Sequence, residues 1–231
     1  MDASAKPPGS ERARKLVPLA VSTLVAVVLV GLTVWSLGQD GETVPPEDEP
    51  GTPTPAAAPC DPVRSEPVEE SRHIDARPLQ YSAPPASGNH SSRWAVLSPP
   101  FYSVADRPKV SVLVHNLEHG YNILWYDETV VGDAEELELV MSIARSYGSL
   151  ERDPAKTFIA APWTAEDGEA MPAGMHYALT HWYADPQDRT RSRDDEVGYK
   201  MYCRAISADV VRRWMRDHPL RDAPEGYRVN M

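Results

Sequence analysis

Five residues from His115 to His119 read H-x-x-E-H, two imidazoles four positions apart with a carboxylate beside the second. On a turn of helix, side chains at i and i+4 lie on one face about 5–6 Å apart, so both rings can reach one metal ion. A third ligand must then come from elsewhere. His90 is the candidate, because Pro84-Pro85-Ala86-Ser87-Gly88-Asn89-His90 is a turn-rich loop suited to presenting a side chain at a sheet edge. The expected metal set is therefore His90, His115 and His119. Glu118 serves as ligand, as partner of a ligating ring or, as the catalytic candidate, as general base. Neutral imidazoles suit zinc, copper, iron or nickel, and zinc or copper are the expected ions. With an open fourth position such a site lowers the pKa of bound water to about 7; with a closed one it is structural or a store.

The remaining candidates are weaker. Met171 and Met175, with His176 and His181 near by, supply the thioethers and rings of a copper(I) variant. Core packing accounts for Met175 as well. His176 and His181 are odd-spaced in an expected strand, so they face opposite sides. His73 and His218 read as surface residues at the edges of the domain. Ser87-Gly88-Asn89-His90 spells the letters of a hydrolase class whose residues lie in separate blocks, and here Ser87 has a role in the turn. Asn89-His90-Ser91 fits a glycosylation acceptor.

The elements that must position these residues follow from periodicity. Lys109 to His115 alternates Val110, Val112 and Val114 against Ser111 and Leu113, which predicts a strand. Further strands are expected over Tyr121–Tyr126, Lys156–Trp163, Met175–Tyr183 and Val197–Ile206. Asp133 and Ser207 predict the starts of two amphipathic helices, the first with Glu135 and Glu136 at its positive end. Strands mostly adjacent in sequence, with two helices, predict an α+β domain whose sheet is mainly antiparallel. H-x-x-E-H resembles the zinc signature of the inverzincin proteases, which needs a long helix and a further glutamate ligand. A β-like run before His115 and Gly120 after His119 predict a single turn there, closed by Gly120 in a left-handed conformation.

The flanks bound the setting. The formal net charge of −11 argues against nucleic acid as a partner. Lys6, Arg12, Arg14 and Lys15 precede Leu16–Leu37, a run without a charged residue. As a helix it reaches roughly 33 Å, enough to cross a bilayer core, and the basic side orients it with the N-terminus inside. Residues 1–15 are expected in the cytoplasm, 16–37 across the membrane in contact with lipid, 38–72 as a proline- and acid-rich spacer, and 73–231 as an extracytoplasmic domain. In that compartment Cys60 and Cys203, the two cysteines, are expected to pair.

Pro84, Pro85, Ser87, Gly88 and His90, followed by Val114, His115, Leu117, Glu118, His119 and Gly120, resemble the motifs of the DUF3105 family of bacterial domains of unknown function. The resemblance covers roughly residues 73–220 and implies a domain behind an N-terminal membrane span. A late family tryptophan within Ala-Trp-Gly corresponds to Trp182, here in His181-Trp182-Tyr183. No activity comes with the family. Two readings therefore stand: a membrane-anchored metal-binding domain, hydrolytic in one version, or a non-enzymatic domain of the cell envelope in which the histidines are structural.

Overall fold

A computed structural model of the chain describes residues 58–68, 70–95, 99–147, 157–187 and 193–226. The expected cytoplasmic segment, the apolar run Leu16–Leu37 and the spacer as far as residue 57 lie outside the described residues. Among the described ones no helix is long and apolar enough to cross a membrane.

Five strands form one sheet: β1 (Arg64–Pro67), β2 (Asn122–Tyr126), β3 (Phe158–Pro162), β4 (Tyr177–Tyr183) and β5 (Val197–Cys203). Their order is β1-β5-β4-β2-β3. Three of the pairings are antiparallel and β2–β3 is parallel. A parallel neighbour requires a crossover, and the chain between β2 and β3 supplies it as α2 (Glu128–Gly132) and α3 (Ala134–Tyr147). β2 and β3 are buried along their whole length, so both faces of the sheet must be covered. Ile123, Trp125, Ile159, Ala178 and Trp182 line one face under α1 (Val110–Glu118). Leu124, Tyr126, Phe158, Tyr177 and Leu179 line the other, packed with α3 and with α4 (Ala208–Asp217). The fold is thus α+β, with four α-helices among the described residues where the periodicity predicts two.

The expected caps are present. The Asp133 carboxylate accepts the backbone N–H groups of Glu135 and Glu136, and the Ser207 hydroxyl accepts that of Val210.

The segment predicted as a strand, Lys109–His115, is instead the first part of α1. Its alternating valines mislead because a β-branched residue costs a helix only a few tenths of a kcal/mol, an amount that packing overrides. Leu113, Val114 and Leu117 lie on one helical stripe and are fully buried against the sheet. Arg64–Pro67, within the proline-rich stretch, pairs with β5 as the edge strand, and the compact unit runs from Ala56 to Met231.

Cys60 and Cys203 form a disulfide that joins the start of this unit to the end of β5. A structural disulfide marks a domain that folds in an oxidising compartment. For a sequence separation of 143 residues, the chain-entropy relation puts its stabilising effect at no more than about 5 kcal/mol. Cys60→Ser is expected to lower the unfolding free energy by about 2–4 kcal/mol, as read from denaturant melts of oxidised protein. An unchanged midpoint would show that the bridge does not constrain the fold.

His218, expected at the surface, packs its ring 4.0 Å from Trp214 and 5.4 Å from the fully buried His181. Burial, aided by the neighbouring His218 ring, pushes His181 down to about 3. His218 itself is pushed down to about 4 by burial, against the opposing effect of Asp217. Both rings are neutral in the folded chain and take up protons once it unfolds. Their contribution is therefore complete above the unfolded value of about 6.5 and is lost as the pH falls towards 4. His181 alone accounts for up to about 1.4 kcal/mol per pH unit in that window. His181→Leu is expected to flatten the fall of the urea midpoint between pH 7 and pH 4.5. An equally steep fall in the variant would remove His181 as its source.

Candidate functional site

The end of α1 sets the site. A left-handed residue is needed to stop the helix, and Gly120 supplies it at a φ of 85°. The N–H of Gly120 bonds to the carbonyl of Leu117 at 2.9 Å and that of Tyr121 to the carbonyl of Asn116 at 3.0 Å. These are the paired bonds of a Schellman stop, and they hold the last turn in a fixed orientation. That turn carries His115 and Glu118, with His119 as the capping residue. The H-x-x-E-H segment thus sits on a helix of nine residues rather than on an isolated turn.

His90 arrives from the other side. Its loop crosses β5 at Gly198, where an added Cβ would come within 2.8 Å of the Ala86 side chain. The Trp182 ring stands edge-on to His90 at 5.6 Å and donates its Nε1–H to Glu196 at 3.0 Å, so β4 forms a floor beneath the histidine. Arg72 and Ile74 exchange backbone hydrogen bonds with His90, which brings in His73 between them.

Four side chains converge. One ligand atom from each of His73, His90, His115 and Glu118 lies within 4.8 Å of every other. The Glu118 Oε2 is 3.0 Å from His90 Nε2, 3.7 Å from His73 Nε2 and 3.8 Å from His115 Nε2. A tetrahedral ion with bonds of about 2.0–2.1 Å holds its ligands roughly 3.3–3.4 Å apart, and these separations straddle that value.

The backbone decides which nitrogens face inward. His90 donates Nδ1–H to the Gly88 carbonyl at 2.8 Å, and His115 donates Nδ1–H to the Ser91 carbonyl at 2.7 Å. A neutral ring so bonded presents a bare Nε2, the form in which histidine ligates, with its other nitrogen held by an outer partner. At His90 this leaves Nε2 opposite a carboxylate oxygen with Nδ1–H already committed. Two acceptors then face each other unless a proton or a cation lies between them.

Electrostatics agree with that crowding. Burial holds the His115 imidazole below its ordinary value, with the bond to Ser91 opposing. Burial pushes the Glu118 carboxyl up, but hydrogen bonding across the Glu118–His90 contact, which needs a proton between the two acceptors, and the nearby imidazoles outweigh it, so the group lies below the usual carboxylate range.

His119 is not one of the four, but its ring borders them. Its Nε2 is 3.1 Å from His115 Nε2 and 3.6 Å from Glu225 Oε2, and Trp94 stacks on its ring at 4.4 Å. His90, His115 and Glu118 therefore meet as expected, and His73 joins them. His73 is indeed exposed, and its spacing from His90 carries no periodic signal. What places it in the cluster is the backbone bridge between the two residues. His176 bonds Asp127 at 3.0 Å and is not among the four converging groups.

Residues 73–228 match the model of a protein family described as a protein of unknown function, DUF3105. The chain belongs to the DUF3105 family. No curated protein and no solved structure matches it. All four converging residues fall inside the DUF3105 region, which begins at His73 itself, whereas Cys60 and β1 precede it.

The helix stop can be tested without touching a converging side chain. An added Cβ at Gly120 would lie 2.5 Å from the Leu220 carbonyl oxygen, on a backbone that L-residues rarely adopt. Gly120→Ala is expected to destabilise the DUF3105 domain by about 2 kcal/mol or more, measured by thermal or chemical unfolding. A neutral substitution would mean that the C-terminal segment yields and that the stop does not orient Glu118.

Proposed function

We propose that the protein is a metal-binding domain held outside the cytoplasmic membrane by residues 16–37, with His73, His90, His115 and Glu118 as ligands of one divalent transition-metal ion, zinc or copper. The observation that supports this most strongly is the locking of two Nδ1–H groups onto backbone carbonyls. It turns the Nε2 atoms of His90 and His115 towards one carboxylate oxygen. A purely structural pair of histidines needs no such convergence, and the repulsion between the Glu118 oxygen and a bare His90 Nε2 is relieved when a cation sits between them. Three imidazoles and a carboxylate form a ligand set of the kind zinc accepts, and nitrogen-rich sites also take copper(II). Glu118 acts here as a ligand and not as a general base. The basic residues before the apolar segment and the Cys60–Cys203 bridge support the extracytoplasmic placement.

The test is metal content. The detergent-purified full chain, loaded with zinc or copper and desalted, is expected to retain one ion per chain by mass spectrometry. His90→Ala and Glu118→Gln are expected to retain almost none while keeping the near-ultraviolet circular dichroism of the parent. Equal, near-zero metal in parent and variants would leave the structural reading of the histidines. Any ectodomain used alongside must include Cys60 and β1, which a start at residue 73 would discard.

A further inference from the structure

The four converging residues are not equivalent, and this difference deepens the metal reading, on which the following rests. The side chains of His90, His115 and Glu118 are 0, 7 and 8 % exposed, whereas that of His73 is 53 % exposed. His90 and His115 are each clamped at Nδ1 by a carbonyl. His73 has no such carbonyl clamp among the described residues: its backbone is held by the bond from the His90 N–H to the Arg72 carbonyl and that from the Ile74 N–H to the His90 carbonyl, and its Nε2 faces Glu118 Oε2 at 3.7 Å. Its ring covers the other two, stacked on His115 at 4.9 Å and edge-on to His90 at 4.7 Å.

A clamped, buried ligand cannot leave an ion without breaking a hydrogen bond and opening the core. An exposed ring without such a clamp can rotate into water with its backbone bridge intact. We infer that His90, His115 and Glu118 form a closed three-ligand core, that His73 is an exchangeable fourth ligand, and that a small monodentate nitrogen donor such as an azole takes its place on the metal. Two imidazoles and one carboxylate alone leave positions open to outside ligands, a property of such triads generally. His73 is the group that closes them. The exchange is a ligand substitution: the His73 Nε2–metal bond breaks, the incoming nitrogen lone pair forms its own, and no electron or proton need change hands.

Cobalt(II) reports the coordination number through its visible absorption, independently of any activity. The full-length parent loaded with cobalt is expected to give the intense bands of a four-coordinate ion, and added imidazole is expected to leave the coordination number at four, because it enters only as His73 leaves. His73→Ala is expected to keep one cobalt per chain, with weaker bands of higher coordination. Added imidazole is expected to restore the parent spectrum in a saturable titration. His90→Ala is expected to lose the ion. His73→Asn, which keeps a polar side chain at the surface, provides a second variant, and near-ultraviolet circular dichroism reports the fold of each. If folded His73→Ala and His73→Asn lose cobalt as completely as His90→Ala, His73 belongs to the core and the inference fails, although the metal site stands. If both variants keep the parent spectrum and ignore imidazole, His73 is not a ligand and the inference again fails. A parent that binds neither cobalt, zinc nor copper overturns the metal reading and this inference with it.

Discussion

The bond from His115 Nδ1–H to the Ser91 carbonyl, 2.7 Å long and buried, ties the end of α1 to the loop that carries His90, and the surroundings of the site depend on it. It fixes the rotation of the His115 ring and settles its proton on the outer nitrogen. It also requires α1 to lie at one height above the sheet, and the burial of Leu113, Val114 and Leu117 holds the helix there. The Ser91 N–H bonds back to the Ser111 carbonyl on the same helix, so loop and helix are joined twice. An error of an ångström in either would separate Glu118 from His90.

The two faces of the sheet divide the work. One face, beneath α1, carries the converging histidines and the Trp182 floor. The other carries the disulfide, α3, α4 and the buried ring of His181 beside that of His218. Neutral imidazoles in an interior resist protonation, so acid weakens this second face. At the first face burial likewise holds the His115 imidazole below its ordinary value. Acid therefore acts on both layers by one mechanism, the cost of placing positive charge where water has been excluded.

Much of the fold was legible along the chain. Four of the five strands and the two capped helices follow from periodicity and from Asp133 and Ser207. α1 was not, since Val110, Val112 and Val114 alternate as a strand would while Leu113 and Leu117 repeat as a helix does. A short segment carrying both patterns is resolved by what it packs against. β1 was hidden for a related reason. A short edge strand that contains proline has almost no signal of its own, and the register of β5 supplies it.

At the site, the sequence by itself determined the chemical types and the local spacing. The H-x-x-E-H segment, the Gly120 stop and the turn-rich approach to His90 are written in consecutive residues, where local geometry suffices. Tertiary structure alone decided the membership of the cluster. His73 reaches it through a backbone bridge to His90, and His119, one turn from His115, contacts that ring while lying beside Trp94 and Glu225. Side chains on one helix can be ranked by their angle about its axis. Which of them meets a ring from another segment depends on packing and hydrogen bonds that only the folded chain brings together.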